Sequence, residues 1–325
     1  MAVYDVQYTN GVIAVREKNF LGEKLLRICE MQAEDAFRFL LDSGFGAGAE
    51  GVNGVHDFEK LVAIEDERLY AFIREYAPSK AELEYLLIPN DFHNAKALMK
   101  AKSLGVSAEN MLASEGLISI KKLSDCVNEG DFSELAEYPY LKTACEEVKA
   151  LLEEEKDGAK VGQIFDKALF DQLWKTLKGK KFLRGVLTEK ADVTNIITAL
   201  RSKDAESALD AYLPHGKLTN SELEKLFDTD FEKTKKYFSK TQYAEFVSVC
   251  LTAKEQGLPL SEGEKMRDVR EIEYFAKRKY ELQKSEPFLY FVYRKKTELS
   301  NVRIAFVCLN AGLSENAIKA RLRNF

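Results

Sequence analysis

Two stretches about a hundred residues apart carry the same pattern of side chains. "DFHNAKALMK" begins at Asp91 and "DVTNIITALR" begins at Asp192. In each stretch an asparagine follows the acid by three positions, an apolar residue follows the asparagine by five and a base follows it by six; the asparagines and bases are Asn94, Lys100, Asn195 and Arg201. A glycine stands further on in both copies, at Gly116 and Gly216. This repeat is longer than the ~20–50-residue period of solenoid proteins, so it predicts a whole helical subdomain that occurs more than once.

Two partial copies of the pattern occur near the ends of the chain. In "YTNGVIAVR" the asparagine is followed by an apolar residue at five and a base at six. In "ELSNVRIAFV" an acid precedes the asparagine by three, Val307 replaces the base at six, and an arginine stands two after the asparagine. The residues concerned are Asn10, Arg16, Glu298, Asn301 and Arg303. Four copies predict three similar lobes, one of which is closed by both ends of the chain.

This pattern gives a domain hypothesis. The first lobe comprises residues 1–89 and is closed by 286–325, the second comprises 90–188, and the third 189–285. Three similar lobes can pack around a pseudo-threefold axis, as the protomers of a closed ring do.

Most segments of the chain have the periodicity of a helix. The stretch from Leu21 to Gly44, for example, carries an apolar stripe at Leu25, Leu26, Cys29, Ala33, Ala36, Phe37 and Leu40. Gly44, Pro78 and Pro139 are predicted to mark helix ends. No convincing series of alternating strands occurs, so the predicted fold class is all-α.

The repeated side chains have two interpretations. In the structural one, an acid near the start of a helix caps it, and a partly buried asparagine and base form bonds between helices. In the functional one, some of these residues lie on a surface that binds a partner. The sequence leaves both open.

Composition limits the classes of function. The net charge of -5 argues against nucleic acid as the main partner. The five cysteines are scattered and form no CxxC, which indicates free, mostly buried thiols in a reducing compartment. No run of about 18 apolar residues occurs, so we expect a chain that does not span a membrane but that could lie against a membrane complex.

Other motifs favour structural explanations. The triplet Gly46-x-Gly48-x-x-Gly51 lacks a preceding strand and is interpreted as a loop. The pair Glu65–Asp66 is interpreted as a solvated helix face. The run "PFLYFVYRKK" from Pro287 is interpreted as core, with the basic end Arg294–Lys296 open to a partner ring or anionic lipid.

No catalytic chemistry is apparent in the sequence. There is no GxxxxGK[ST] or GxSxG motif, and the three histidines have no neighbour at metal-ligand spacing. We therefore expect no catalytic site, metal or cofactor.

An ordered set of segments resembles a known family. "YTNGVIAVRE", "PNDFHNAKALMKAK", "SEGLISIKKL", "DVTNIITALRSK", "LPHGKLT" and "PFLYFVYRKKTELSNVRIAF" are similar in order and spacing to the C subunit of the archaeal and bacterial A/V-type ATPase. The eukaryotic relative of that family is the d subunit of the vacuolar ATPase. The resemblance extends from Tyr8 to Leu322.

The resemblance implies a fold and a role. Three helical subdomains would form a funnel that caps the cytoplasmic face of the membrane rotor ring and receives the tip of the central shaft. The chain would be a non-catalytic, peripheral component, monomeric in isolation and present once per complex. It would couple ATP hydrolysis or synthesis to proton or sodium transport. A free helical scaffold or regulator, or an enzyme whose site is built from distant residues, are the alternatives.

Overall fold

The computed structural model describes residues 5–154 and 158–323, with the side chains of residues 158 and 159 also left undescribed. All regular secondary structure in these ranges is helical, which confirms the all-α prediction. None of the helices found there is both long enough and apolar enough to cross a membrane.

Sixteen α-helices occur in the described residues. They are α1 (Val6–Arg16), α2 (Glu23–Ile28), α3 (Ala33–Asp42), α4 (Phe58–Tyr76), α5 (Lys80–Leu104), α6 (Ile120–Glu129), α7 (Pro139–Glu154), α8 (Gly158–Thr176), α9 (Lys181–Arg201), α10 (Ala205–Leu209), α11 (Asn220–Glu224), α12 (Phe231–Phe238), α13 (Ala244–Glu255), α14 (Ser261–Ala276), α15 (Glu286–Asn310) and α16 (Glu315–Lys319). Short 3-10 helices lie at Glu17–Asn19, Val55–Asp57, Glu109–Met111, Ser133–Leu135 and Lys225–Phe227.

The predicted helix ends fall close to the observed ones. Helix α3 ends just before Gly44, which has a φ of +82° that an L side chain rarely adopts. Helix α4 ends two residues before Pro78, and Pro139 is the first residue of α7, where its missing N–H breaks no helical bond. Helix α5 continues through Pro89, so the carbonyl group four residues earlier lacks its usual N–H partner.

Contacts divide the chain into two compact units. The first unit joins Met1–Leu83 to Val269–Phe325, and the second is Glu84–Asp268. Separate second and third lobes at 90–188 and 189–285 stay a prediction, and residues 269–285 of the third fall in the first unit.

The core of the first unit is aromatic and is shared by both ends of the chain. The ring of Phe306 on α15 is fully buried and lies 5.4 Å from that of Phe58 and 6.2 Å from that of Phe37. Likewise Phe72 on α4 lies 5.1 Å from Phe291 on α15. Aromatic pairs at these separations add to the stability that their buried area provides. Residues more than two hundred positions apart therefore form one core.

The second unit contains a helical hairpin and a helix-rich core. Helices α7 and α8 pack against each other, and α8 also contacts α9. The apolar residues of α9 join those of α10 to α13 in a single cluster, namely Val193, Ile196, Ile197, Ala199, Leu200, Ala208, Tyr212, Leu223, Leu226, Phe238, Tyr243, Phe246, Val247, Cys250, Leu251 and Leu260. All five cysteines of the chain are buried free thiols.

The aromatic core gives a test of the first unit. Substituting Phe306→Ala removes a fully buried ring, so the free energy of unfolding should fall by about 3–5 kcal/mol in urea titrations. The neighbouring Val307 is 56% exposed. Val307→Ala should therefore change the free energy of unfolding by less than about 0.5 kcal/mol. Equal unfolding midpoints for the two variants would contradict this description of the core.

Candidate functional site: the repeated acid–asparagine clamps

The repeated acids lie in the interiors of long helices. Asp91 is in α5, Asp192 in α9 and Glu298 in α15. The expectation that such an acid caps the start of its own helix is therefore wrong. The N–H groups of an interior turn already bond to the carbonyl groups four residues back, so a carboxylate there has no free donor on its own helix. It instead binds another segment of the chain.

The second copy shows this arrangement most fully. The Asp192 Oδ1 atom accepts hydrogen bonds from the backbone N–H groups of Lys217 at 2.8 Å and Leu218 at 2.9 Å. Its Oδ2 atom accepts one from the Tyr243 hydroxyl at 2.5 Å. Burial raises the pKa of Asp192 above its ordinary value, although these three bonds act in the opposite direction. Burial, followed by the bond to Asp192, also raises the pKa of Tyr243.

The asparagine of this copy binds the same connection one helical turn further along. The Asn195 side-chain amide donates to the Leu213 carbonyl at 3.0 Å, and the Leu213 N–H donates to Asn195 Oδ1 at 2.7 Å. Residues three positions apart share one face of a helix, so the acid and the asparagine act on one segment together. We call such a pair, with the backbone it binds, a clamp.

The first copy repeats the clamp in nearly the same form. The Asp91 carboxylate accepts from the N–H groups of Leu117 at 2.9 Å and Ile118 at 3.0 Å. The Asn94 amide donates to the Ala113 carbonyl at 3.3 Å and accepts from the Ala113 N–H at 2.8 Å. In both copies the helix therefore holds the connection that leaves its own C-terminal end.

In the third copy the two side chains bind different segments. Asn301 exchanges both hydrogen bonds with the backbone of Arg323 at 2.9 Å. Glu298, which is one methylene longer than aspartate, accepts from the Leu21 N–H at 2.6 Å and from the Lys295 ammonium at 2.9 Å. Helix α15 thus fixes the beginning and the end of the chain in the first unit.

The fourth copy is half of a clamp. The Asn10 amide donates to the carbonyl groups of Leu282 at 2.8 Å and Lys284 at 3.2 Å. Its buried Oδ1 atom has no hydrogen-bond partner among the described residues, and Gln7 stands where the other copies have an acid. In this copy the asparagine therefore only donates hydrogen bonds, and both the acid and the bond accepted by the asparagine oxygen are missing from the described structure.

The two glycines of the repeat allow the carboxylates to approach the backbone. A Cβ atom added at Gly216 would lie 2.6 Å from Asp192 Oδ1, and one added at Gly116 would overlap the Asp91 carboxylate. Each glycine immediately precedes the first N–H group that the acid binds. The repeated glycine is thus explained by this close contact.

The four bases of the repeat do not share a structural role. The Arg16 guanidinium lies 4.7 Å from the centre of the Phe72 ring. Arg201 pairs with Glu264 at 2.5 Å, and Arg303 pairs with Glu59 at 3.0 Å. Lys100 is half-buried and forms no ion pair within the described parts of the chain. Whether these bases bind a partner stays a prediction.

The sequence interpretation missed a buried ion cluster beside the third clamp. The Lys295 ammonium lies 2.9 Å from a carboxylate oxygen of Glu65 and 2.9 Å from one of Glu298, while Arg68 lies 2.6 Å from Glu65. Burial alone would lower the pKa of Lys295, but the two carboxylates outweigh it and raise the pKa. Burial alone would raise the pKa of Glu65, but the two cations outweigh it and lower the pKa. These directions favour the charged forms of Lys295 and Glu65.

This cluster corrects two expectations. Glu65 is not part of a solvated helix face, since only 12% of its side chain is exposed. Nor is Lys295 available to an outside partner, because it is enclosed between two carboxylates. The pairing joins α4 to α15, and nothing in the local sequence signals it.

The glycine triplet is part of the connection between α3 and α4. Gly46, Gly48 and Gly51 all have positive φ angles, and the Gly46 N–H donates to Glu65 at 3.2 Å. Within the described residues, no group of three or more histidine, cysteine or acidic side chains is placed to hold a metal ion.

Removing one clamp amide tests its contribution. Substituting Asn195→Ala leaves the Leu213 N–H and C=O unpaired, so the free energy of unfolding should fall by about 1–3 kcal/mol. Hydrogen exchange of the Leu213 amide should accelerate at the same time. Asn220, an exposed residue at the start of α11, provides the control, and Asn220→Ala should leave both quantities unchanged. Unaltered exchange at Leu213 in the Asn195 variant would disprove the role of the clamp.

The glycine contact gives an independent test. Gly216→Ala should force Asp192 away from the loop and lower the free energy of unfolding by about 1–3 kcal/mol. Gly162 lies in α8 with open space around its Cβ position, so Gly162→Ala should stabilise the protein by up to about 1 kcal/mol. The measurement is urea denaturation of both variants, and effects of the same sign would argue against the steric explanation.

Comparisons with known proteins place the chain in a family. The family model for the ATP synthase (C/AC39) subunit matches residues 9–321. The C subunit of the V-type ATP synthase of Thermus thermophilus is 25% identical over 65% of this chain and 68% of its own length. The C subunit of the A-type ATP synthase of Methanosarcina mazei is 24% identical over 96% and 90%, respectively. The C subunit of the V-type sodium ATPase of Enterococcus hirae is 22% identical over 82% of each.

These matches confirm the resemblance to the C subunit of the A/V-type ATPases. Because the family model extends over nearly the whole sequence, the chain belongs to the ATP synthase (C/AC39) subunit family.

Proposed function

We propose that this chain is a non-catalytic central-stalk subunit of an A/V-type rotary ATPase. It links the central shaft to the membrane rotor ring on the cytoplasmic face of the membrane. Through this link, ATP hydrolysis or synthesis is coupled to the transport of protons or sodium ions. The three predicted lobes would form the funnel that connects the two partners.

One observation carries the proposal. The family model covers residues 9–321, and relatives that match most of the chain are named as the C subunits of an A-type ATP synthase and of a V-type sodium ATPase. A match of this extent includes all four copies of the repeat. It therefore involves the whole chain and not a single shared motif.

The clamps supply physical support for a mechanical role. A protein that transmits torque must resist separation of its segments, and buried polar networks with all groups paired make a structure rigid. In the first unit, hydrogen bonds join Leu21 to Glu298 and Asn301 to Arg323. These bonds connect parts of the chain that a pulling force would otherwise separate.

The connection after α5 has the character of a partner surface. Leu104, Val106 and Met111 are 73%, 50% and 46% exposed, respectively. The same connection is fixed by the Asn94 clamp and by a 2.9 Å contact between His93 Nε2 and the Met111 carbonyl oxygen. Protein–protein contacts commonly use exposed apolar surface, and these three residues lie within eight positions of one another on an ordered segment.

Deletion of the gene tests the coupling role. Membranes that lack the chain should retain ATP hydrolysis by the catalytic subunits but lose ATP-driven ion transport, and the wild-type gene should restore it. Transport would be followed with a fluorescent ion-gradient dye in inverted vesicles. Undiminished transport without the chain would reject the proposal and favour a free helical scaffold.

The exposed connection gives a test at the level of residues. The double variant Leu104→Ser, Met111→Ser should reduce co-purification with the shaft and ring proteins by about tenfold, since hydrophobic contacts worth about 1.4 kcal/mol are lost. Tyr237→Ser, at a residue 46% exposed on α12, serves as the control and should co-purify normally. Circular dichroism would verify that both variants fold. Normal co-purification of the double variant would show that this connection does not lie in the interface with the shaft and ring proteins.

A further inference from the structure

A cavity in the first unit has a basic rim and an apolar wall. Its volume is about 410 Å³, and its walls come from four separate segments of the chain, around residues 16–24, 43–45, 65–72 and 291–295. Five cationic side chains line it, namely Arg16, Lys18, Lys24, Arg68 and Lys295. Glu65 is the carboxylate among its lining residues.

The positive charge of this cavity is only partly neutralised. Lys295 and Arg68 are both paired with Glu65, and Lys295 also with Glu298. By contrast, Arg16, Lys18 and Lys24 have no carboxylate within ion-pair distance in the described parts of the chain. Three unbalanced cations around one concavity stand out in a chain whose net charge is -5. A concave, low-dielectric wall strengthens the field that such a group of charges exerts on an anion.

The apolar part of the cavity is aromatic. Phe20 is half-buried, packs edge-on against Phe291 at 5.4 Å and carries the Arg294 guanidinium over its ring, 4.3 Å from the centre. The Arg16 guanidinium covers the ring of Phe72, 4.7 Å from its centre, so this cation is already oriented at the wall. Small-molecule sites commonly combine such apolar walls with a few directed charges, and their volumes run from about 300 to 1,000 Å³. The volume here exceeds what two phosphate groups alone would fill.

We propose that this cavity binds an organic polyphosphate, that is, two or more phosphate groups joined to a planar ring system. Arg16, Lys18 and Lys24 would bind the phosphate groups, and the ring would lie against Phe20. Guanidinium and ammonium groups form short, charge-assisted hydrogen bonds with phosphate oxygens. All of the residues that line this site belong to the first unit of the isolated chain.

No sequence motif indicates this site. A P-loop binds phosphates through the backbone of one continuous segment, which gives a recognisable pattern. Here three cations and Phe20 come from residues 16–24, between the end of α1 and the start of α2, whereas Phe72 and Phe291 come from α4 and α15. Only the folded chain brings them together.

The test uses the purified full-length chain and isothermal titration calorimetry in magnesium-free buffer. ADP is the probe, with pyrophosphate and adenosine as separate arms. ADP should bind at least tenfold more tightly than either fragment, and its affinity should fall as salt is raised. The double variant Lys18→Gln, Lys24→Gln should weaken ADP binding at least tenfold. The control is the double variant Lys121→Gln, Lys178→Gln, which removes the same charge from exposed lysines of the second unit. This control variant should bind ADP as the wild type does.

Several results would overturn the proposal. They are absence of ADP binding at millimolar concentrations, equal affinity for pyrophosphate and ADP, and equal weakening in both double variants. Displacement of ADP by a hexaglutamate peptide at comparable concentration would assign the cavity to an acidic protein segment instead. None of these results bears on whether the chain couples ATP hydrolysis to ion transport.

Discussion

The structure depends on a hydrogen-bonding problem that helices create at their ends. A connection that packs against a helix carries N–H and C=O groups that must find partners once water is excluded. In this chain the partners come from the interior of the helix, where an acid accepts two successive N–H groups and an asparagine pairs with one residue in both directions. The apolar residue five positions after each of the last three asparagines is buried, at Met99, Leu200 and Phe306. The same helix therefore fixes the loop with one face and fills the core with another.

In the third clamp, the acid binds a segment that is distant in the sequence and not the connection that follows its own helix. A glutamate in place of aspartate extends the carboxylate, and Glu298 reaches Leu21 instead of the connection after its own helix. Its second oxygen binds Lys295, which also pairs with Glu65 on α4. A buried lysine between two carboxylates is stable only while both remain ionised and in place, since an unpaired charge in the interior is costly. The ends of the chain are thus joined by charge as well as by the aromatic core.

Some of this could be predicted from the sequence. The spacing of the asparagines identified the repeat, apolar periodicity identified the helices, and glycine and proline marked their ends. The role assigned to Asp91 and Asp192 was wrong because three-residue spacing defines a shared face and does not locate the helix start. The Glu65–Lys295 pair was missed because a charged residue in a helix pattern is taken as exposed unless its partner is known. That partner lies 230 positions away, and only the fold supplies it.

The interior of the repeat is the same in the first two copies, whereas its exterior differs from copy to copy. Acid and asparagine keep their backbone partners in those two copies, but the bases meet an aromatic ring at Arg16, and carboxylates on unrelated helices at Arg201 and Arg303. Packing restricts the buried positions, because a change there leaves groups unpaired, whereas exposed positions can change at little cost. A chain built from similar lobes can therefore present different surfaces. Under the proposed function, different surfaces on the lobes would serve to orient the shaft. A single asymmetric shaft must bind in one orientation, whereas three equivalent surfaces would allow three orientations.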